Sequence, residues 1–326
     1  MVPLSVLDLS PIVEGSDAAQ ALRNTLDLAQ HVERWGYRRY WLAEHHNMDG
    51  VASSATAVLV GHVAGGTKSI RVGSGGVMLP NHAPLVIAEQ FGTLATLYPD
   101  RIDLGLGRAP GTDGLTMRAL RRRLDTADED TFLHDVQELQ AYLDDPHPDQ
   151  RVRAVPGMGT KVPIWLLGSS LYSAQAAALL GLPFAFASHF APALLLEALQ
   201  EYRVRFQPSP VLARPHAMVG VNVICADSDA ESEHRATSLY LRFLGMQRGR
   251  RGPLPRPVAS MDGLWTDVER AGVEQMLAVS AIGAPDTVRA ILERIVAVTQ
   301  ADELIVATAV HDHHARLRSY ELLARI

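Results

Sequence analysis

Eight short apolar runs, each followed by a longer stretch with helical spacing, recur from end to end of this 326-residue chain. They are LSVLDLS (4–10), RYWLAE, IRVGSGGVML, RIDLGLG, VPIWLLG, FAFAS, AMVGVNVICA and ELIVATAV. Runs that are apolar on both faces are typical of parallel strands covered by helices. The stretches between them carry the helical period, as where Leu22, Leu26 and Ala29 line one face between Asp17 and about Arg34. Further helices are expected near 126–144 and 229–244. Eight βα units over this length predict a closed (β/α)₈ barrel, a TIM barrel, in a single domain spanning 1–326. An open doubly wound sheet is the main alternative, but its dinucleotide fingerprint is missing. GLGRAPG contains G-x-G and then places Pro110 where the third glycine belongs. The chain has no G-K-[ST] phosphate loop either.

Composition narrows the partners. A hydrophobic content of 47% and a charged content of 20% are ordinary for a soluble globular protein. The net charge of −6 disfavours general nucleic-acid binding, which needs positive charge to displace counterions from phosphates. The single cysteine, Cys225, excludes an intramolecular disulfide framework and a Cys-rich metal site, and points to a reducing cytoplasm. MVPLSVLDLSPIVEG lacks the basic start and long apolar core of a signal peptide. AAALLGLPFAFASHFAPALLL comes closest to a membrane span, but prolines and His189 interrupt it.

Two segments exceed an ordinary barrel loop: 108–125 after the fourth strand, and 245–283 after the helix that follows the seventh. The second is rich in Gly, Pro and Arg with little apolar periodicity. It is expected to be a mobile insertion, either a lid or simply disordered. MRALRRRL (117–124) reads as the solvated face of a short helix, with a role in attracting an anionic cofactor left open.

In such a barrel the active site lies at the C-terminal ends of the strands. Those ends carry Asp8 and Ser10, then Glu44, His45 and His46, then Ser74-Gly75-Gly76, Gly107-Arg108, Gly168-Ser169-Ser170 and Ser188-His189. In LLGSSLYSAQAA, Gly168, Ser169, Ser170 and Ser173 fall between a strand and a helix start, where free N–H groups and hydroxyls suit a phosphate. Capping of the helix by Ser169 or Ser170 competes with that reading. Arg108, a bidentate donor at the same rim, favours phosphate. The glycines of RVGSGGVMLP allow either a bulge or the close approach of a flat ligand.

His45 and His46 are adjacent on a strand and point to opposite faces, and no third ligand has a familiar spacing, so no metal is expected. HDHH (311–314) reads as the polar first turn of the last helix. A histidine at the rim suits acid–base work or hydrogen bonding to an anionic intermediate, with Glu44 as its orienting or structural partner.

These motifs together resemble the bacterial luciferase-like monooxygenases, flavin-dependent (β/α)₈ barrels, and most of all their oxidoreductase subgroup with little-characterised substrates. The likeness runs nearly end to end. It is carried by LDLSPIVEG, GYRRYWLAEHHNM, RVGSGGVMLPNHAPLVIAEQFGTLATLYPDRIDLGLGRAPGTD, WLLGSSLYSAQAAALLGLPFAFASHF and RLRSYELLA. The resemblance implies that His45 is the active-site histidine near the flavin ring, and that Arg108 binds the flavin phosphate with Ser170 and Ser173 close by. It also implies that Ser74, Gly75 and Gly76 lie against the isoalloxazine, where members often carry a non-proline cis peptide. The implied cofactor is FMN, used as FMNH₂, with F420 in the same place in some members. The implied reaction passes one oxygen of O₂ to a small organic substrate. Light-emitting members have a cysteine before the arginine; here that position is Gly107, which argues against light emission.

The missing dinucleotide fingerprint fits a two-component system served by a separate NAD(P)H-dependent flavin reductase, and the family implies a homodimer. An F420-dependent hydride-transfer enzyme and a non-catalytic flavin-binding protein are the competing readings. Passive binding leaves an acid–base pair such as His45 and Glu44 without a use. The loops at 108–125 and 245–283 are expected to shape the substrate pocket.

Overall fold

The computed structural model describes residues 1–109, 111–120 and 131–326. In chain order these form β1 (Leu4–Asp8), α1 (Ala18–Arg34), β2 (Arg39–Leu42), α2 (Thr56–Gly66), β3 (Arg71–Met78), α3 (Pro84–Leu97), β4 (Ile102–Gly107), α4 (Gly114–Ala119) and α5 (Phe132–Leu143). There follow β5 (Ile164–Gly168), α6 (Leu171–Leu180), β6 (Phe184–Phe186), α7 (Leu195–Arg205), β7 (Ala217–Cys225), α8 (Asp229–Gln247), α9 (Asp267–Met276), β8 (Ser280–Gly283), α10 (Pro285–Thr299), β9 (Glu303–Ala307) and α11 (His313–Leu323). The first part of the helix expected near 126–144, and residues 121–124 of the arginine-rich run, lie outside the described residues.

Strands β1 to β7 pair in sequence order and in parallel, and β9 bridges β7 back to β1, so eight strands close into a barrel. These are the eight runs read from the sequence. No described helix is long and apolar enough to cross a membrane.

The segment 245–283 contains elements that the sequence reading did not name. This segment holds regular structure: α9, started by a capping box between Thr266 and Glu269, and β8, which pairs with the outer half of β7 from Asn222 to Cys225. Val273 is the buried residue of α9, so its apolar stripe is too narrow to show as a period. Leu254, in the proline-rich part, is tied to the chain after β1 by hydrogen bonds with Ile12 and Glu14 of 2.8 and 2.9 Å.

Strand alternation sorts the side chains. Leu7, Trp41, Ala43, Trp165, Ala185, Met218 and Ile305 fill the barrel, with Trp41 and Trp165 packed edge to face at 5.2 Å. Tyr40, Leu42, Val72, Leu104 and Leu166 face outward into the helix layer. Close passage of β3 and β4 explains two glycines: a Cβ on Gly73 would lie 2.5 Å from the Asp103 carbonyl oxygen, and one on Gly105 2.2 Å from that of Ser74.

The N-terminal end of the barrel is closed by charge. Arg39 donates to Asp103 at 2.7 Å and to Glu303 at 3.0 Å, Arg71 reaches Asp103 at 2.6 Å, and the Trp41 indole donates to Asp103 at 3.1 Å. Burial pushes the Glu303 carboxyl up, but His216, Arg39 and Ser5 outweigh it and hold it below its ordinary range. Arg39→Met would leave Glu303 without its closest cation and Asp103 with Arg71 as its remaining one, and is expected to destabilise by about 3 kcal/mol at pH 7 in urea unfolding. Because the folded Glu303 pKa is depressed, its contribution is present above about 4.5 and fades on acidification below it, so the variant's deficit should shrink in acid.

Candidate active site

At the opposite end of the barrel β2 runs into Glu44, His45 and His46. The parity that points Trp41 and Ala43 inward carries His45 to the barrel mouth and turns Glu44 outward. The backbone N–H of His45 is fixed on the Ser53 carbonyl at 3.1 Å, while its ring Nδ1 is enclosed without a hydrogen-bond partner among the described residues. Burial, then the Arg242 charge, pull its pKa from 6.5 down to about 4 against the opposing pull of Glu44. His45 is therefore a neutral imidazole at pH 7.

Glu44, 2% exposed, accepts hydrogen bonds from the Nε2 atoms of His82 at 2.9 Å and His46 at 3.0 Å. Burial raises its carboxyl, and the two histidines outweigh that and keep it ionised. The two catalytic candidates thus lie on opposite faces of the chain: Glu44 anchors its neighbours, and His45 faces the mouth. Glu44, His46 and His82 bring ligand-type atoms within 4.8 Å of one another, a trio that the His45–His46 reading could not anticipate because His82 comes from the turn before α3. The start of the loop after β4 packs on the same stretch, where Thr112 donates to the His46 carbonyl at 3.1 Å.

The structure brings the phosphate candidates together. Ser170 is the N-cap residue of α6, yet its hydroxyl does not cap the helix; it lies 3.3 Å from Ser173 Oγ, which donates to the Ser170 carbonyl at 3.0 Å. The Ser170 side chain thus does not cap the first turn of α6, which answers the capping alternative for Ser170. Gly168 leaves the room Ser173 occupies, since a Cβ there would lie 2.1 Å from Ser173 Oγ. Ser169, between them, is partly open. Arg108 lies over this turn, its guanidinium carbon 4.0 Å from the ring centre of Tyr172.

On β3 the Gly75–Gly76 peptide is cis, and Gly75 is partly open. Side chains fit at neither position: a Cβ on Gly75 would meet Leu7 at 2.7 Å, and one on Gly76 the Gly105 carbonyl oxygen at 2.7 Å. Ser74 behaves differently from its neighbours. Its buried hydroxyl donates to the Gly105 carbonyl at 2.8 Å and accepts from the Gly105 amide at 3.0 Å, bridging β3 to β4 where their register shifts.

Two residues near the mouth, Asn222 and Arg242, escaped the sequence reading of the site, and His189, read there as part of the rim, was given no role. His189 follows Ala185 at alternate positions beyond β6, and Gly220 clears space for it, since a Cβ there would be 2.5 Å from its Nδ1. That Nδ1 has no partner among the described residues, and burial, then His45 and Arg242, lower the ring to about 4. Asn222 of β7 donates to the His189 carbonyl at 2.5 Å. Arg242 of α8 completes the group. The inward parity of FAFASH was the available signal for His189; Arg242 sits within the apolar run LYLRFLG.

Comparison with known proteins gives one family. Its model, described as luciferase-like monooxygenase, matches residues 2–302. A protein of Escherichia coli (strain K12) named luciferase-like monooxygenase is 56% identical over 98% of this chain and 96% of its own length. The N-acetyl-S-alkylcysteine monooxygenase of Bacillus subtilis (strain 168) is 44% identical over 57% of each chain. The solved structure of apo-MsnO8 superposes with a TM-score of 0.88 at 38% identity, covering 100% of this chain and 98% of that one. The same fold occurs in the FMN complex of the oxygenating constituent of 3,6-diketocamphane monooxygenase from Pseudomonas putida (TM-score 0.74, 17% identity, 99% and 97% coverage). It also occurs in an F420-dependent secondary alcohol dehydrogenase (TM-score 0.70, 12% identity, 99% and 98% coverage).

Two outcomes follow from this geometry. Because His45 and His189 are held near 4 against 6.5 when unfolded, their contribution to stability is full above about 6.5 and is lost as pH falls toward 4. His189→Gln should flatten that part of the stability–pH curve, read by urea unfolding. Ser170→Ala should change stability by less than about 0.5 kcal/mol, where loss of a working cap costs about 1 kcal/mol.

Proposed function

The chain belongs to the luciferase-like monooxygenase family, and we propose that it uses reduced FMN and O₂ to oxygenate a small organic substrate. The observation that carries this reading is the α6 turn that the Ser170 hydroxyl leaves uncapped beneath Arg108, on the same rim as the Gly75–Gly76 backbone and a His45 Nδ1 without a partner among the described residues. These residues fit FMN at both its ends. Arg108, the hydroxyls of Ser169, Ser170 and Ser173, and the α6 amides beside Gly168 would hold the phosphate. Gly75 and Gly76 offer a surface without side chains for the ring, and Ser74 keeps that surface in place from beneath.

Reduced FMN supplies the electrons and the activation of oxygen. His45 remains neutral at pH 7, so its Nδ1 can donate a hydrogen bond or hold a proton at the barrel mouth. Glu44 acts on the backbone either side of His45 by anchoring His46 and His82. The protein is proposed to act as a cytoplasmic homodimer supplied by a separate NAD(P)H-dependent flavin reductase. The name of the Bacillus subtilis relative makes N-acetyl-S-alkylcysteines the first substrates to try.

His45→Ala should lower turnover by about 10²–10⁴-fold while reduced FMN binds as in the unaltered protein. Unchanged turnover would contradict the assignment of His45. Arg108→Gln should weaken FMN by about 10- to 100-fold, the value of a charged hydrogen bond, and leave riboflavin unaffected. An equal loss for both flavins would move the phosphate elsewhere.

A further inference from the structure

Among the described arginines packed into the barrel and its helix layer, some are held by carboxylates and others, such as Arg101 and Arg203, donate to backbone carbonyls, whereas Arg242 has neither kind of partner. Arg39 is held by Asp103 and Glu303, and Arg316 by Asp8 at 2.8 Å. Arg242, only partly exposed on α8 between the buried Leu239 and Phe243, makes no hydrogen bond or ion pair with any described residue. The charged and titratable groups that bear on it are Arg316, His45 and His189, two of them neutral imidazoles and the third a cation already satisfied by Asp8. A partly buried guanidinium without a counter-ion among the described residues has room to take one from outside the chain.

The surroundings are prepared for a polar guest. His45 Nδ1 and His189 Nδ1 are both enclosed and without partners, and each comes from a strand end that points into the mouth. Ser238 lies one turn before Arg242 on the same face of α8, is 0% exposed, and its hydroxyl also has no partner among the described residues. Asn222 fixes the backbone of His189, and Gly220 gives its ring room. The imidazoles of His45 and His189, which feel the Arg242 charge, can each donate through one ring nitrogen and with the guanidinium fork offer donors for a planar oxyanion. The phosphate cradle is a different place, built on Arg108 and α6.

We infer that Arg242, His189 and His45 form an anion subsite at the barrel mouth that takes the carboxylate of the organic substrate, so that this enzyme acts on organic acids. The inference rests on the proposed oxygenation of an organic substrate and names its class. The same donors would also suit the anionic ring of a reduced flavin, and the test separates the two sources.

Calorimetric titration of the FMN-loaded protein would compare 3-(methylsulfanyl)propanoate with its neutral amide, and repeat both on Arg242→Gln and Arg242→Lys. The unaltered protein should bind the acid at least about tenfold more tightly than the amide, the value of one charged hydrogen bond. Arg242→Gln should erase that preference and Arg242→Lys keep part of it. Equal binding of acid and amide, or a preference that survives Arg242→Gln, overturns the proposal. So does a loss confined to reduced FMN, which would give Arg242 to the cofactor. Unfolding of Arg242→Gln supplies an independent check: an unpaired arginine can be removed with the melting temperature unchanged or raised, whereas a clear fall would mean that a protein partner satisfies it. Failure to bind FMN at all would count against the proposed function, and acid-over-amide selectivity measured without FMN would still decide the subsite.

Discussion

Closure of eight parallel strands imposes a two-residue parity on every side chain, and the rest of the molecule follows from it. Strand β2 shows this along one line. Arg39 enters the charged plug at the N-terminal end, Trp41 and Ala43 fill the middle, and the same parity brings His45 to the opposite mouth. Tyr40 and Leu42 face the helices, and Glu44 turns with them to anchor His46 and His82. A register slip of one residue would exchange core for helix contact and remove His45 from the mouth together with Arg39 from the plug.

The two ends of the barrel handle most of their polar groups differently, His216 Nε2 at the base, 3.7 Å from Glu303 and without a hydrogen bond among the described residues, being the exception. At the base Arg39, Arg71, Asp103 and Glu303 satisfy one another, so charge is buried with its partners. At the mouth His45, His189 and Ser238 enclose polar atoms that have none among the described residues. Buried polar groups are normally satisfied, and those left open mark where a protein meets something other than itself. The turn of α6 that the Ser170 hydroxyl leaves uncapped belongs to the same pattern. Stability and chemistry are therefore separated along the barrel axis.

Much of this was legible in the sequence because a parallel strand covered on both faces leaves an unbroken apolar run, which is what YWL, IWLL and VGVNVIC display. The rim could be read as the set of residues that end those runs, which placed His45, Arg108 and the Gly168–Ser173 turn together. Other features depend on three-dimensional parity that no linear pattern carries. Ser74 was grouped with the two glycines it precedes, but its hydroxyl is committed to the β3–β4 ladder. Arg242 looks like one polar residue of an amphipathic helix until the carboxylates around the other buried arginines are compared with the lack of one beside it. Strand β8 and helix α9 were missed because four strand residues and one buried valine leave too little periodicity to read.

The central claim is that the mouth of this barrel holds reduced FMN and exposes it to oxygen. An anaerobic titration of the purified protein with reduced FMN and, separately, with reduced F420, followed by admission of oxygen, tests it most directly. The account predicts that reduced FMN is bound in preference to reduced F420 and, once bound, is reoxidised by oxygen at a rate different from that of the free cofactor. Preference for F420 with no response to oxygen would contradict it and assign the same site to hydride transfer.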